Sequence, residues 1–181
     1  MRFKERVSEM LKAISGFFRK ETYPEKRKEY LRWRDVVFSI TSTQLGVLSD
    51  QSDQVYGVIM EVGITDDFII AITAFTTRES SLMTTVGGGV IGLGGDQIIA
   101  DHVGHIISLA QPLMEKTKRI GEHNLPKSQI VHFYFLTASG LMKEQATVTE
   151  SYAQNHPFHE MFERFTAIKT RSEELTKASD N

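Results

Sequence analysis

Residues 87–95 read Gly-Gly-Gly-Val-Ile-Gly-Leu-Gly-Gly, six glycines in nine positions. Gly87, Gly89 and Gly92 match the spacing G-x-G-x-x-G, with Asp96 opening a helical pattern directly after. Such glycines serve phosphate binding because no side chain blocks the ligand and helix amides face the anion. A dinucleotide site also needs an acidic residue at the end of a second strand about 20 residues on, and that distance falls beside Pro112, inside the helical pattern. No Gly-Lys-Ser/Thr follows, which removes a Walker loop. The structural reading is preferred. Glycine admits positive φ and lets main chain approach main chain. On that reading Gly87, Gly88, Gly89 and Gly92 form a close-packing surface, with Val90, Ile91 and Leu93 as its apolar contacts.

Other reactive groups form no complete set. Asp101 and His105 lie four apart on the helix that follows Asp96, with His102 beside them. No H-E-x-x-H pattern is present, and neither a metal nor a cofactor is expected. His156 and His159 flank Pro157–Phe158, and His132 falls in a strand. Ser39, Ser42, Thr84 and Ser139 are hydroxyl nucleophiles outside any G-x-S-x-G or S-x-x-K context. Residues 26–34 interleave basic and aromatic residues, and Lys26, Arg27, Arg32 and Arg34 could meet phosphates. The acids at 25 and 29 and a net charge of −2 argue against nucleic acid.

The elements that must position these groups follow from hydrophobic periodicity. The 181 residues suit one domain with an appended helical arm. Residues 3–20 place Phe3, Val7, Met10, Leu11, Ile14, Phe17 and Phe18 at helical spacing, and a second helix is expected over 24–34, giving an arm over 1–34. Val36, Val37, Phe38 and Ile40 favour a strand, Ser42–Leu48 could form a short helix, and 49–53 reads as a loop. Strands are expected over 55–62, 68–75 and 82–86, joined as an antiparallel meander. A helix runs from Asp96 to about Ile120 with Pro112 marking a kink or break. Strands over 129–138 and 141–149 and a helix over 158–175 complete a domain at 35–176, with a frayed tail at 177–181. The order gives an α+β fold: an antiparallel sheet of about five strands, a long helix on it, and a C-terminal helix.

Charge is uneven. Residues 1–34 carry eleven Lys/Arg against five Asp/Glu, whereas residues 35–101 carry one against nine. The basic segment could dock on the acidic one, on an acidic partner or on an anionic membrane. There is no cysteine, which excludes disulfides and thiolate metal sites. No apolar run reaches a membrane span, and Arg2, Lys4, Glu5, Arg6, Glu9 and Lys12 break any signal-peptide core. A cytoplasmic location is the resulting expectation.

Val55–Glu61 (VYGVIME), then a hairpin, then Thr85–Gly92 (TVGGGVIG) resemble a group of small uncharacterised bacterial proteins. These pair a VYGV-like strand with a TGGGVIG-like segment, and the resemblance spans roughly residues 54–145. It implies no particular activity. The strand–helix order also resembles roadblock and profilin-like interaction domains, which implies a role in protein contact. The function expected from the sequence is therefore a non-catalytic interaction or regulatory domain, immunity-like in kind, acting through self-association or another protein. The alternatives are a phosphate or small-ligand protein using amides of Gly92–Gln97, and an anionic-surface binder using residues 1–34.

Overall fold

A computed structural model describes residues 23–47 and 53–179. The helix expected over 3–20 and most of the loop at 49–53 lie outside the described residues. Among the described residues the architecture is α+β, with one antiparallel sheet of seven strands and four helices. The strands are β1 (Val55–Gly63), β2 (Ile69–Phe75), β3 (Ser81–Thr84), β4 (Gly89–Ile91), β5 (Lys118–Ile120), β6 (Ile130–Thr137) and β7 (Gly140–Thr147). Their spatial order is β4-β3-β2-β1-β6-β7-β5, and every neighbouring pair is antiparallel. The helices are α1 (Tyr23–Ser39), α2 (Gln97–Met114), α3 (Val148–Ser151) and α4 (His159–Ser179).

The central strands are buried on both faces, which explains why they read as nearly continuous apolar runs. One face sends Val58, Met60, Val62, Ile70, Ile72, Val131, Phe133 and Phe135 into a core closed by Ile99, Val103 and Ile106 of α2 and Met161, Phe162, Phe165 and Ile168 of α4. The opposite face sends Ile59, Phe75, Tyr134 and Leu136 against Val37 of α1. Ile69 and Ala71 meet Tyr30 of the same helix.

The sheet has seven strands where about five were expected. Both extra strands have three residues and sit at the sheet's ends. β4 lies inside the glycine segment, where composition suggests a crossover. The apolar period extends the long helix to about Ile120, but that helix stops at Met114 and Lys118–Ile120 forms β5. Pro112 lies in the last turn, two residues before the helix ends.

Val36, Val37 and Phe38 belong to α1 and not to a strand. Tyr30, Arg34 and Val37 are buried at spacings of four and three, while Val36 is 62% exposed. Helical period outweighs the β-preference of the branched residues. Ser42 precedes a short 3-10 turn at Thr43–Leu45. The hydroxyl of Thr147 and carboxylate of Glu150 form a capping box that starts α3 directly after β7. No helix among the described residues is long and apolar enough to cross a membrane.

Candidate functional site

The glycine segment folds as a hairpin, an edge strand and a lead-in to α2. Thr84 N–H donates to the Gly88 carbonyl (3.2 Å), Gly87 N–H to the Thr84 carbonyl (3.4 Å), and the Thr84 hydroxyl to the Gly87 carbonyl (2.6 Å). Gly87 has φ +95°, and a Cβ there would meet the Lys26 side chain at 2.5 Å. This is a three-residue hairpin loop closed by a left-handed glycine. Thr85, at the loop's start, is buried, and its hydroxyl donates to the Asp67 carbonyl (2.7 Å) and accepts from Ile69 N–H (2.9 Å). The loop is thereby tied to the β1–β2 turn.

β4 then pairs with β3 in the register Ser81↔Ile91, Leu82↔Val90, Met83↔Gly89. Antiparallel ladders alternate bonded and non-bonded pairs. The Thr84–Gly88 bond sets that alternation, so Val90 exchanges bonds with Leu82. Gly89 and Ile91 therefore aim N–H and C=O away from β3. Among the described residues no strand pairs with this outer edge. Gly89 lies so close to β3 that a Cβ would meet the Leu82 carbonyl oxygen at 2.8 Å and also the Met83 sulfur. Ile91 is 69% exposed on the same face.

The segment ends at α2, where phosphate binding would require open amides. Asp96 caps the helix instead: Oδ1 accepts from Ile99 N–H (3.1 Å) and Oδ2 from Arg171 (2.8 Å). The Arg171 hydrogen bonds hold the Asp96 carboxyl below the usual carboxylate range. An anion at this turn would compete with a carboxylate already in place.

On its inner face, the hairpin closes a cleft against α4. Ile70, Leu82, Val86, Val90 and Gly87–Gly89 face Lys169, Ser172, Glu173 and Thr176 across a cavity of about 50 Å³. A void of about 20 Å³, sharing Ile70 and Lys169, continues beneath β1 and β2. Sequence reading does not single out these α4 residues. The available signal is period: Lys169 stands seven after Phe162 and four after Phe165, on the apolar face of the helix.

The other reactive residues are dispersed. Arg34 is buried and grips Glu61 with Nε on Oε1 (2.5 Å) and Nη2 on Oε2 (3.0 Å), while the Tyr30 hydroxyl donates to Oε1 (2.7 Å). This pair pins α1 to β1. Lys26 is also buried, Arg27 lies 3.6 Å from Asp67, and Arg32 is exposed, so the four basic residues form no common phosphate surface. His132 is buried beside Tyr134 (3.0 Å), and burial, aided by Lys143 and Arg34, lowers its pKa to about 4. Asp101 accepts from Gln97 (2.8 Å), and His105 is exposed. His159 donates through Nδ1 to the Ser151 carbonyl (3.2 Å), and His156 Nδ1 accepts from Phe158 N–H (3.3 Å). The Ser39 hydroxyl donates to the Val36 carbonyl (2.7 Å) and that of Ser139 to Asp53 (2.5 Å). Among the described residues no three His, Asp or Glu side chains gather closely enough to hold a metal ion.

Against this geometry, comparison with protein families, curated proteins and solved structures finds no match. A functional reading therefore rests on the molecule's own physical features.

Proposed function

We propose that the chain is a protein-contact domain that associates with a second copy of itself through the outer edge of β4. The observation that carries this reading is the edge itself. Gly89 and Ile91 present outward donors and acceptors, no charged residue lies between Val86 and Gly95, and Ile91 is 69% exposed. Such an edge is a template for another strand.

The residue order suits a twofold pairing. Two β4 strands running antiparallel about Val90 set Ile91 of each copy opposite Gly89 of the other. Gly89 and Ile91 then form the hydrogen-bonded pairs. The isoleucine covers the position where Gly89 has no side chain, over Met83. The two seven-stranded sheets become one continuous sheet. A three-residue edge is short, so the association is weak, with a dissociation constant on the order of micromolar.

The test is mass by light scattering across a concentration series. Gly89 is a poor variant, because any side chain collides with the Leu82 carbonyl. Ile91→Pro is better: it removes an N–H that points away from β3, and proline is tolerated on a strand edge. The natural chain should move from one to two copies as concentration rises, with Ile91→Pro remaining at one. A natural chain that stays monomeric at millimolar concentration, or a proline variant that dimerises equally, rejects the reading.

A further inference from the structure

The cleft behind the glycine turn contains a charged group that self-association does not use. Lys169 of α4 is buried with 7% of its surface exposed, yet it lines both the cleft and the void behind it. Its ammonium donates to Glu173 Oε1 at 2.7 Å. An ammonium has three donors, and among the described residues Glu173 is its one hydrogen-bond partner.

The remaining lining offers little to a polar ligand. The hydroxyls of Ser172 and Thr176 donate to the carbonyls of Lys169 and Ser172, and that of Thr84 to Gly87. Ile70, Leu82, Val86 and Val90 supply hydrocarbon. A cavity of about 50 Å³ holds roughly four waters, which would find few partners on such walls and would be readily displaced.

Charge then selects the ligand. Lys169 and Glu173 together are neutral. A charged ligand is drawn to one partner and repelled by the other, so it loses its hydration with no net attraction to offset the loss. A neutral carbonyl accepts the spare donors and has no charge to desolvate. We propose that this cleft binds a neutral carbonyl compound with a short apolar chain: an amide, ester or lactone. Its carbonyl oxygen accepts from Lys169 Nζ. Its chain lies along Ile70, Leu82, Val86 and Val90, where Gly87–Gly89 leave the rim without side chains.

The experiment titrates the full chain with propanamide, propanoate and propylamine, whose size suits a cavity of about 50 Å³, reading the backbone amide resonances of Gly87, Gly88 and Gly89. Propanamide should give saturable shifts, and the two charged probes should bind about tenfold more weakly. The paired variant Lys169→Met/Glu173→Gln removes the donors without stranding a charge, and should weaken propanamide about tenfold. Thr176→Phe narrows the mouth and should weaken it as well. If the paired variant does not fold, the ranking of the three probes and Thr176→Phe decide. No saturable shift, equal binding of all three probes, or indifference to these variants overturns the proposal. The mass of the same samples reports self-association separately, so either proposal can fail alone.

Discussion

Both ends of the sheet finish in a three-residue strand, but the two are built from opposite materials. β5 is Lys118-Arg119-Ile120, with both basic residues exposed. Arg119 reaches across to Ser139, donating from Nη1 to its carbonyl (2.5 Å) and from Nη2 to its hydroxyl (3.0 Å). Lys118 stands directly opposite Lys143 of β7 in the ladder. β4 is Gly89-Val90-Ile91, with no charge and an exposed isoleucine. Sheet edges are ordinarily defended by lysine and other charges against pairing with foreign strands. One edge of this molecule has that defence, and the other lacks it. The contrast is between a charged edge, of the kind that resists pairing, and an uncharged one that presents its donors and acceptors without such a guard.

The largest expected effect concerns the guarded side. Lys143 and Arg34 add to burial in lowering the pKa of His132, which the fold keeps neutral down to about pH 4 against an ordinary 6.5. The unfolded chain binds that proton earlier, so acid favours unfolding. The stability present at neutral pH should fall as pH drops from about 6.5 to about 4, by on the order of 3 kcal/mol. Chemical denaturation across that range should show the slope in the natural chain and a flatter profile in His132→Phe. The β4 edge has no titratable group, so self-association should be constant over the upper part of that range, from about pH 6.5 to 5. A dimer constant that follows the stability curve would erase the distinction between the edges.

Next in size is the edge exchange. In a twofold pairing Ile91→Pro loses two hydrogen bonds, one per copy, which corresponds to about thirtyfold in affinity. Ile91→Lys transplants the β5 defence onto β4 and should weaken association similarly, with partial recovery in high salt as the two diagonally placed lysines are screened. The reverse change, Lys118→Val with Arg119→Thr, should make the β5 edge adhesive. Light scattering should then show species larger than two copies, because each protomer has two open ends. If this double variant stays at two copies, β5 is protected by something other than its charges.

Much of this was legible in the residues, and the limits have physical causes. The meander β1–β2–β3 and the pair β6–β7 announce themselves through long branched runs bounded by turn residues. The core face of α2 is visible from Ile99, Val103 and Ile106. The three-residue strands are not legible, because three residues carry no period to read. β4 is further concealed by glycine, which speaks for turns in any single-sequence reading. The density of glycine is plain in the sequence, but the neighbours that exclude a side chain at Gly89, namely Leu82 and Met83, come from the hairpin pairing and cannot be read from spacing. Lys169 was hidden because a polar residue inside an apolar helical face reads as the end of that face. Its burial depends on the hairpin, which is distant in sequence.

The smallest effect isolates the cost of the guard. Lys118 faces Lys143 across a ladder pair, and Lys143 is itself half-buried, with its ammonium 5.5 Å above the Tyr134 ring. Burial already lowers the Lys143 pKa. Lys118→Thr removes one of two like charges and places a strand-favouring residue in β5, so it should raise stability by roughly 0.2–1 kcal/mol. Arg119 remains to defend the edge, so the mass in solution should be unchanged. Denaturant midpoints at low and high salt separate the two contributions. The repulsive part shrinks as salt screens it, and the strand-preference part does not. A gain identical at both salt concentrations would show that Lys118 costs the fold nothing electrostatically, and the contrast between the edges would then lie only in which surface each leaves open.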